Sequence, residues 1–301
     1  MRVFVTGASG HIGSAVIPEL LAAGHQVTGL ARSDSSSAVI SAAGATALPG
    51  TIDDLDLLRS AAADADGVIH LAFKHEAMRS GDMAGAASDD QAAVEAMLDA
   101  LAGTDKPFVG TSGTLILAMA GLGRIGTETD SLPGGPRIDT ENLTIEAASR
   151  GVRTSVVRLP PTVHSSLDHH GFIPTLIAMA RANSVAAYVG DGANRWPAGH
   201  TLDAAHLYRL ALESAPAGSR LHAVGDEGVP FREIAEAIGR NAGLPVASIV
   251  TEEADQRLGF LGGFAQLDNP TSSELTRKLL DWAPAHPGLI EDMDEGHYFR
   301  S

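Results

Sequence analysis

The 301-residue sequence contains no cysteine. That one absence excludes disulfide staples, thiolate metal sites and thiol nucleophiles, and it fits a reducing compartment. Aromatic side chains are scarce, 4% of the chain with only three Tyr and two Trp, so chemistry based on a phenol has few places to reside. Positive charge is also short: 21 Lys and Arg against 37 Asp and Glu leave a formal charge of -16, which repels nucleic-acid backbones and anionic membrane surfaces. Long hydrophobic runs are missing too. The longest apolar stretch, residues 114–122, falls far short of the roughly 20 residues that span a bilayer. Met1 leads directly into a strand-like run at 3–6, which leaves no room for a secretory leader. These absences predict a cytoplasmic protein whose partner is a small molecule, not nucleic acid or a membrane.

What is present is ample apolar material, 44% of residues, enough to bury a large core. Short apolar runs at 2–6, 26–31, 66–72, 107–111, 153–159 and 220–225 read as strands. Helical periodicity fills the gaps, at 14–23 before Gly24, 55–63, 89–102 before Gly103, and 140–150 before Gly151. Strand alternating with helix implies crossover connections and a doubly wound parallel α/β sheet covered on both faces. The alternation weakens after about Pro160, where Pro, Gly and His become more frequent and both Trp residues, Trp196 and Trp282, occur. The expected organisation is a nucleotide-binding unit at 1–163 and a smaller lobe at 164–301, with the 220–225 strand returning to the main sheet. The loop 74–88, rich in Met, Gly and Ala, is expected to be mobile.

Gly7, Gly10 and Gly13 stand directly after the first strand and directly before the first helix in Thr6-Gly7-Ala8-Ser9-Gly10-His11-Ile12-Gly13. A Cβ in such a turn blocks either the tight bend or the approach of a pyrophosphate to the helix N-terminus, where unpaired N–H groups and the helix dipole stabilise anionic oxygens. Strand, turn and helix in that order mark a Rossmann dinucleotide site, with Ser9, His11 and Ile12 completing the cradle. At the end of the second strand, where an acid would bind a ribose 2'-hydroxyl, the chain has Arg32 and Ser33, a pair suited to the 2'-phosphate of NADP. His11 offers a further donor.

The Gly-x-x-Gly-x-x-Gly spacing and the segments that follow it resemble the extended and atypical short-chain dehydrogenases/reductases, the epimerase/dehydratase-like kind. The resemblance implies that Leu71, Ala72 and Phe73 lie along the cofactor, that Ile52 and Asp53 meet the adenine, although Thr51 stands where an Asp is usual, and that Pro160, Thr162 and Val163 pass under the nicotinamide. It also implies pairing of two copies through the helices that hold Asp90 and Glu141.

The catalytic positions of that family are altered. Most members use a Tyr and, four residues later, a Lys that lowers the phenol pKa. Here the only tyrosines are Tyr188, Tyr208 and Tyr298, and the alignment puts Pro133 and Arg137 at the two positions. Arg137 is suited to binding the nicotinamide ribose but not to donating a proton near neutral pH. Gly113 replaces the substrate-binding Ser, and Asp90 replaces the usual Asn. The proton relay expected in their place is Ser112, Thr114 and Asp90, with His164 as the second candidate. In the smaller lobe, Arg195, Trp196 and His200 lie in a segment that resembles the family's substrate-facing stretch, and Lys74 follows the fourth strand. No metal is expected, because His164, His169, His170 and His200 show no helical ligand spacing, and no Gly-x-Ser-x-Gly elbow supports a hydrolase. The function so implied is an NADP-dependent oxidoreductase of a small to medium carbonyl or alcohol. A catalytically reduced NADP-binding sensor and an epimerase/dehydratase are the alternatives.

Overall fold

In the computed structural model, which describes residues 1–300 with the side chains of 78 and 79 excepted, most of the apolar runs without alternation become strands buried on both faces. Seven of them form a parallel sheet: β1 (Arg2–Thr6), β2 (Gln26–Ala31), β3 (Thr46–Pro49), β4 (Gly67–His70), β5 (Pro107–Gly113), β6 (Arg153–Leu159) and, much later, β10 (Ser219–His222). Their order is β10-β6-β5-β4-β1-β2-β3. The order reverses between β1 and β4, the switch point outside whose carboxyl ends ligands bind in such sheets.

Helices α1 (His11–Ala22), α2 (Asp34–Ala42), α3 (Leu55–Asp64), α4 (His75–Arg79), α5 (Met83–Leu101), α6 (Leu115–Met119) and α7 (Ile138–Glu146) alternate with these strands. Two elements of this half leave no clear signal in the sequence. α2 is Ser-rich and buries only Ile40, so it has no apolar stripe, and β3 is four residues long and half-exposed. β10 pairs with β6 in parallel, Leu221 beside Val157.

The remaining elements are β7 (Thr162–His164), α8 (Phe172–Asn183), β8 (Ala186–Val189), β9 (Arg195–His200), α9 (Thr201–Ser214), β11 (Asp226–Pro230), α10 (Phe231–Ala242), β12 (Val246–Ile249), α11 (Ala254–Leu258), α12 (Glu274–Leu280) and α13 (Leu289–Asp294). They add a three-stranded sheet, β11-β9-β7, and a two-stranded one, β12-β8. α10 shows why this part holds together: Phe231, Ile234, Ala235 and Ile238 fall on one helical face and are buried. Phe231 meets the edge of Trp196 with ring centroids 4.9 Å apart.

This second core is separate from the main one, yet the chain does not stay within it. On α9, Leu207, Tyr208, Ala211 and Leu212 are buried in the same cluster as Val16, Ile17 and Leu20 of α1. Trp282 joins them, its indole N–H donating to the Asp203 carbonyl at 3.0 Å. The sequence therefore passes between the two cores several times. Among the described residues no helix is long and apolar enough to cross a membrane.

Candidate active site

The glycine turn is built by close backbone approach. Gly7 has φ +67°, and a Cβ there would lie 2.7 Å from the Ala72 amide nitrogen; one at Gly13 would lie 2.4 Å from the Gly7 carbonyl oxygen. These two glycines let β4 and α1 close on the turn. Gly10 differs: it is exposed, it occupies the N-cap of α1 with no side-chain cap, and a Cβ would meet only the Gly7 oxygen, at 3.2 Å. A dinucleotide's pyrophosphate fits here, since Ser9, His11, Ile12 and Gly13 surround a helix start whose N–H groups have no side-chain acceptor. The Thr6 hydroxyl oxygen accepts from the Leu71 and Ala72 amides, both at 3.2 Å, which pins the end of β4 beside the turn.

At the end of β2, Arg32 extends into solvent and, among the described residues, reaches only Glu76, at 3.8 Å, both side chains more than 70% exposed. Ser33 caps α2 by accepting from the Ser36 amide, and the Ser35 and Ser36 hydroxyls lie 2.9 and 3.1 Å from its own. One guanidinium and three hydroxyls thus gather at a helix N-terminus. Ile52 is buried. Asp53 is engaged by Lys74, whose ammonium also donates to Asp89, each at 2.7 Å. Both carboxylates hold the Lys74 pKa above its ordinary value, so Lys74 is not the free substrate contact that the sequence suggests.

At the other end, Leu71, Ala72 and Phe73 leave β4 half-buried. Arg137 caps α7 with φ +66°, lays its guanidinium 4.1 Å above the Phe73 ring and donates to the Thr111 carbonyl at 3.0 Å. Pro160 and Thr162 are buried, Val163 half-buried, and the Thr162 hydroxyl donates to the Pro197 carbonyl. The Thr162 hydroxyl proton is therefore already committed and is not available to a ligand.

The expected relay is not assembled. The Thr114 hydroxyl accepts from Asn269 at 3.0 Å. Ser112 is buried without a hydrogen bond of good geometry; the anion near it is Glu141, whose charged form it supports. Asp90 faces His70 at 3.1 Å, and the second nitrogen of that ring lies 2.7 Å from the Thr6 hydroxyl. The three residues that the resemblance groups into one relay thus face three different groups. Burial raises the Glu141 pKa, but Arg158 and then Arg220 more than offset it and hold the carboxyl below its ordinary value. Arg158 itself is fully buried.

The substrate-lobe residues are also rearranged. Trp196 is fully buried and packs in the second core, its indole donating to the Phe264 carbonyl; a bulky apolar side chain in a lobe this small is needed as core and cannot face a ligand. Arg195 forks onto Asp268 at 2.7 and 3.0 Å. His200 caps α9, accepting from the Leu202 amide, and stacks on His286 at 4.5 Å with ring planes 8° apart. Asp203 binds His286 at 2.8 Å, so His200, Asp203 and His286 form a cluster, but parallel rings cannot point their lone pairs at one ion. His164 is buried, bonded to Asp292 at 2.9 Å and edge-on to His200.

His11 does not face the adenosine end. Its Nε2 lies 2.8 Å from the Thr201 hydroxyl, 190 residues away in sequence, on α9. Thr201, Ser165, Asp168, Asp292 and Tyr298 converge on this region, and sequence reasoning missed them all because no local pattern announces contacts between segments so far apart. Tyr208 is fully buried, bonded to Thr111, and burial raises its pKa further from neutrality.

Comparison with known proteins adds the following. Residues 3–134 match the NAD dependent epimerase/dehydratase family. An uncharacterized protein of Schizosaccharomyces pombe is 46% identical over 99% of this chain and 100% of its own length, and one of Saccharomyces cerevisiae is 43% identical over 97% and 98%. A 2'-dehydrokanamycin reductase of Streptomyces kanamyceticus is 28% identical over 86% of this chain and 72% of its own length. Among solved structures, a double mutant of dTDP-glucose 4,6-dehydratase from Streptomyces venezuelae with NAD bound superposes with TM-score 0.76 at 18% identity, covering 99% of this chain and 96% of that one.

Proposed function

The chain belongs to the NAD dependent epimerase/dehydratase family, and from that premise we propose that it is an NADP-dependent oxidoreductase acting on a small to medium carbonyl or alcohol. The observation that carries the reading is the open helix start at Gly10 together with Arg32 and the serine cluster at α2, an anion cradle with a second cationic site at its ribose end. The reductase activity in the name of the Streptomyces kanamyceticus relative points the same way.

When bound, the nicotinamide supplies the hydride. This chain's own residues bind and orient. Arg137 is held over Phe73, the position from which it would donate to a ribose hydroxyl, and Leu71 to Phe73 and Pro160 to Val163 are the segments that would lie along the cofactor. A second reading, a cofactor-binding sensor without turnover, is favoured by the commitment of Thr114 to Asn269 and of Asp90 to His70 and by the absence of any Tyr from α7.

Titration of the protein with NADPH and NADH tests the cofactor reading. NADPH is expected to bind about 10- to 100-fold more tightly, the worth of one charge-assisted hydrogen bond, and Arg32→Ala is expected to erase most of that margin. Equal affinities for the two would overturn it. A folded Gly10→Val protein is expected to bind neither. NADPH consumption over a panel of carbonyls then separates enzyme from sensor.

A further inference from the structure

Hydrogen-bond accounting at Thr201 fixes the state of His11. The single Thr201 hydroxyl proton goes to the His164 carbonyl at 3.1 Å, and Ser165 donates to the Thr201 oxygen at 2.9 Å. The remaining contact, His11 Nε2 at 2.8 Å, is therefore an N–H donating to that oxygen. Neutral His11 then carries its lone pair on Nδ1, and Nδ1 faces Asp168 Oδ1 at 3.8 Å. Two acceptors look at each other with no proton between them.

Asp168 is held firmly in this pose. Its Oδ1 accepts from the Gly171 amide at 2.7 Å, its Oδ2 receives the Tyr298 hydroxyl, and the Tyr298 oxygen accepts from the Ser165 amide. Its side chain is 1% exposed and that of His11 24%. The other titratable groups facing His11 are His164, His169 and His200; the first turn of its own helix holds no acid. Burial first, then these three imidazoles, lower the His11 pKa to about 4, while burial raises that of Asp168 against its hydrogen bonds. At neutral pH the gap is thus left without its proton.

His11 is also the first residue of α1, so its own backbone N–H belongs to the anion cradle. We propose that His11 and Asp168 form a proton-binding pair that fills when the anionic pyrophosphate of the cofactor enters this cradle, so that cofactor binding takes up a proton at the seam between the lobes. The inference rests on the dinucleotide reading above. A phosphate anion beside the ring favours imidazolium, and imidazolium converts the two facing acceptors into a charge-assisted pair with Asp168. Cofactor loading then tightens the contact between the glycine turn and the 165–171 segment.

Calorimetric titration with NADPH, in buffers of different ionisation enthalpy at pH 6 to 7, counts the protons. His11→Gln keeps a donor for Thr201 but cannot be protonated, so the difference between wild type and this variant cancels any titration of the 2'-phosphate. Wild type is expected to take up more protons than His11→Gln, by up to one per cofactor, and Asp168→Asn to reduce the uptake likewise. The wild-type Kd is expected to rise with pH more steeply than that of His11→Gln, by up to tenfold per pH unit. Tight NADPH binding with equal proton counts in wild type and His11→Gln would overturn the proposal while sparing the cofactor reading; failure of NADPH to bind wild type would overturn both.

Discussion

At the scale of single residues, the three tyrosines show how little of this site depends on phenol chemistry. Tyr188 lies under Arg232, Tyr208 donates to Thr111, whose own proton goes to the His70 carbonyl, and Tyr298 is occupied by Asp168 and Ser165. Burial raises the pKa of both Tyr208 and Tyr298. Each Tyr→Phe variant is therefore expected to keep turnover within a few fold. A loss of about a hundredfold, the scale of a general acid or base, in a folded variant that still binds cofactor would contradict this. The glycine turn was legible in the sequence because its meaning is local: strand, bend and helix follow one another within thirteen residues. The partners of His11 and Asp90 were not, because Thr201 and His70 reach them only through the packing of distant segments.

At the scale of elements, α7 carries a charge into the core. Glu141 projects from it onto Arg158 of β6 and Arg220 of β10, with its side chain 1% exposed. Removing one member of a buried pair strands the other, at a cost of about 3–5 kcal/mol. Glu141→Ala is expected to lose stability on that scale in urea denaturation, and Glu141→Gln, which keeps hydrogen-bond acceptance, to lose less. An alanine variant as stable as wild type would show that α7 is not fastened through this carboxylate. Periodicity announced α5, whose interior face is largely apolar, and a helix over 140–150 that overlaps α7, but the residues α7 buries are Thr140, Glu141 and Thr144, and the ion pairs that anchor it to β6 and β10 join residues 17 and 79 apart and leave no trace in local patterning.

For the whole molecule, the decisive electrostatic fact is a set of imidazoles kept neutral by burial. His11, His200 and His222 are each lowered to about 4, in every case by burial first. The unfolded chain protonates the same residues near 6.5, so between pH 6.5 and 4 it binds more protons than the folded state. Stability is then fully present above 6.5 and falls as the pH drops through that window. Thermal unfolding from pH 8 to 4.5 is expected to give a constant Tm down to about 6.5 and a continuous decline below it. A Tm that stays flat to pH 4.5 would mean that these rings are solvated or paired in the folded protein.

The repeated passage of the chain between its two cores bears on how the protein can be divided. A fragment ending at residue 163 would contain the glycine turn and six of the seven main strands, but it would lack β10, which covers the outer edge of β6, and α9, which covers α1. Its β6 would present a naked row of backbone donors and acceptors, the template on which copies add edge to edge, and the apolar side of α1 would face water. The half that carries the glycine turn is thus no detachable module: its last strand and one of its covering helices are encoded more than forty residues beyond β6, so synthesis must run past residue 222 before the main sheet can close.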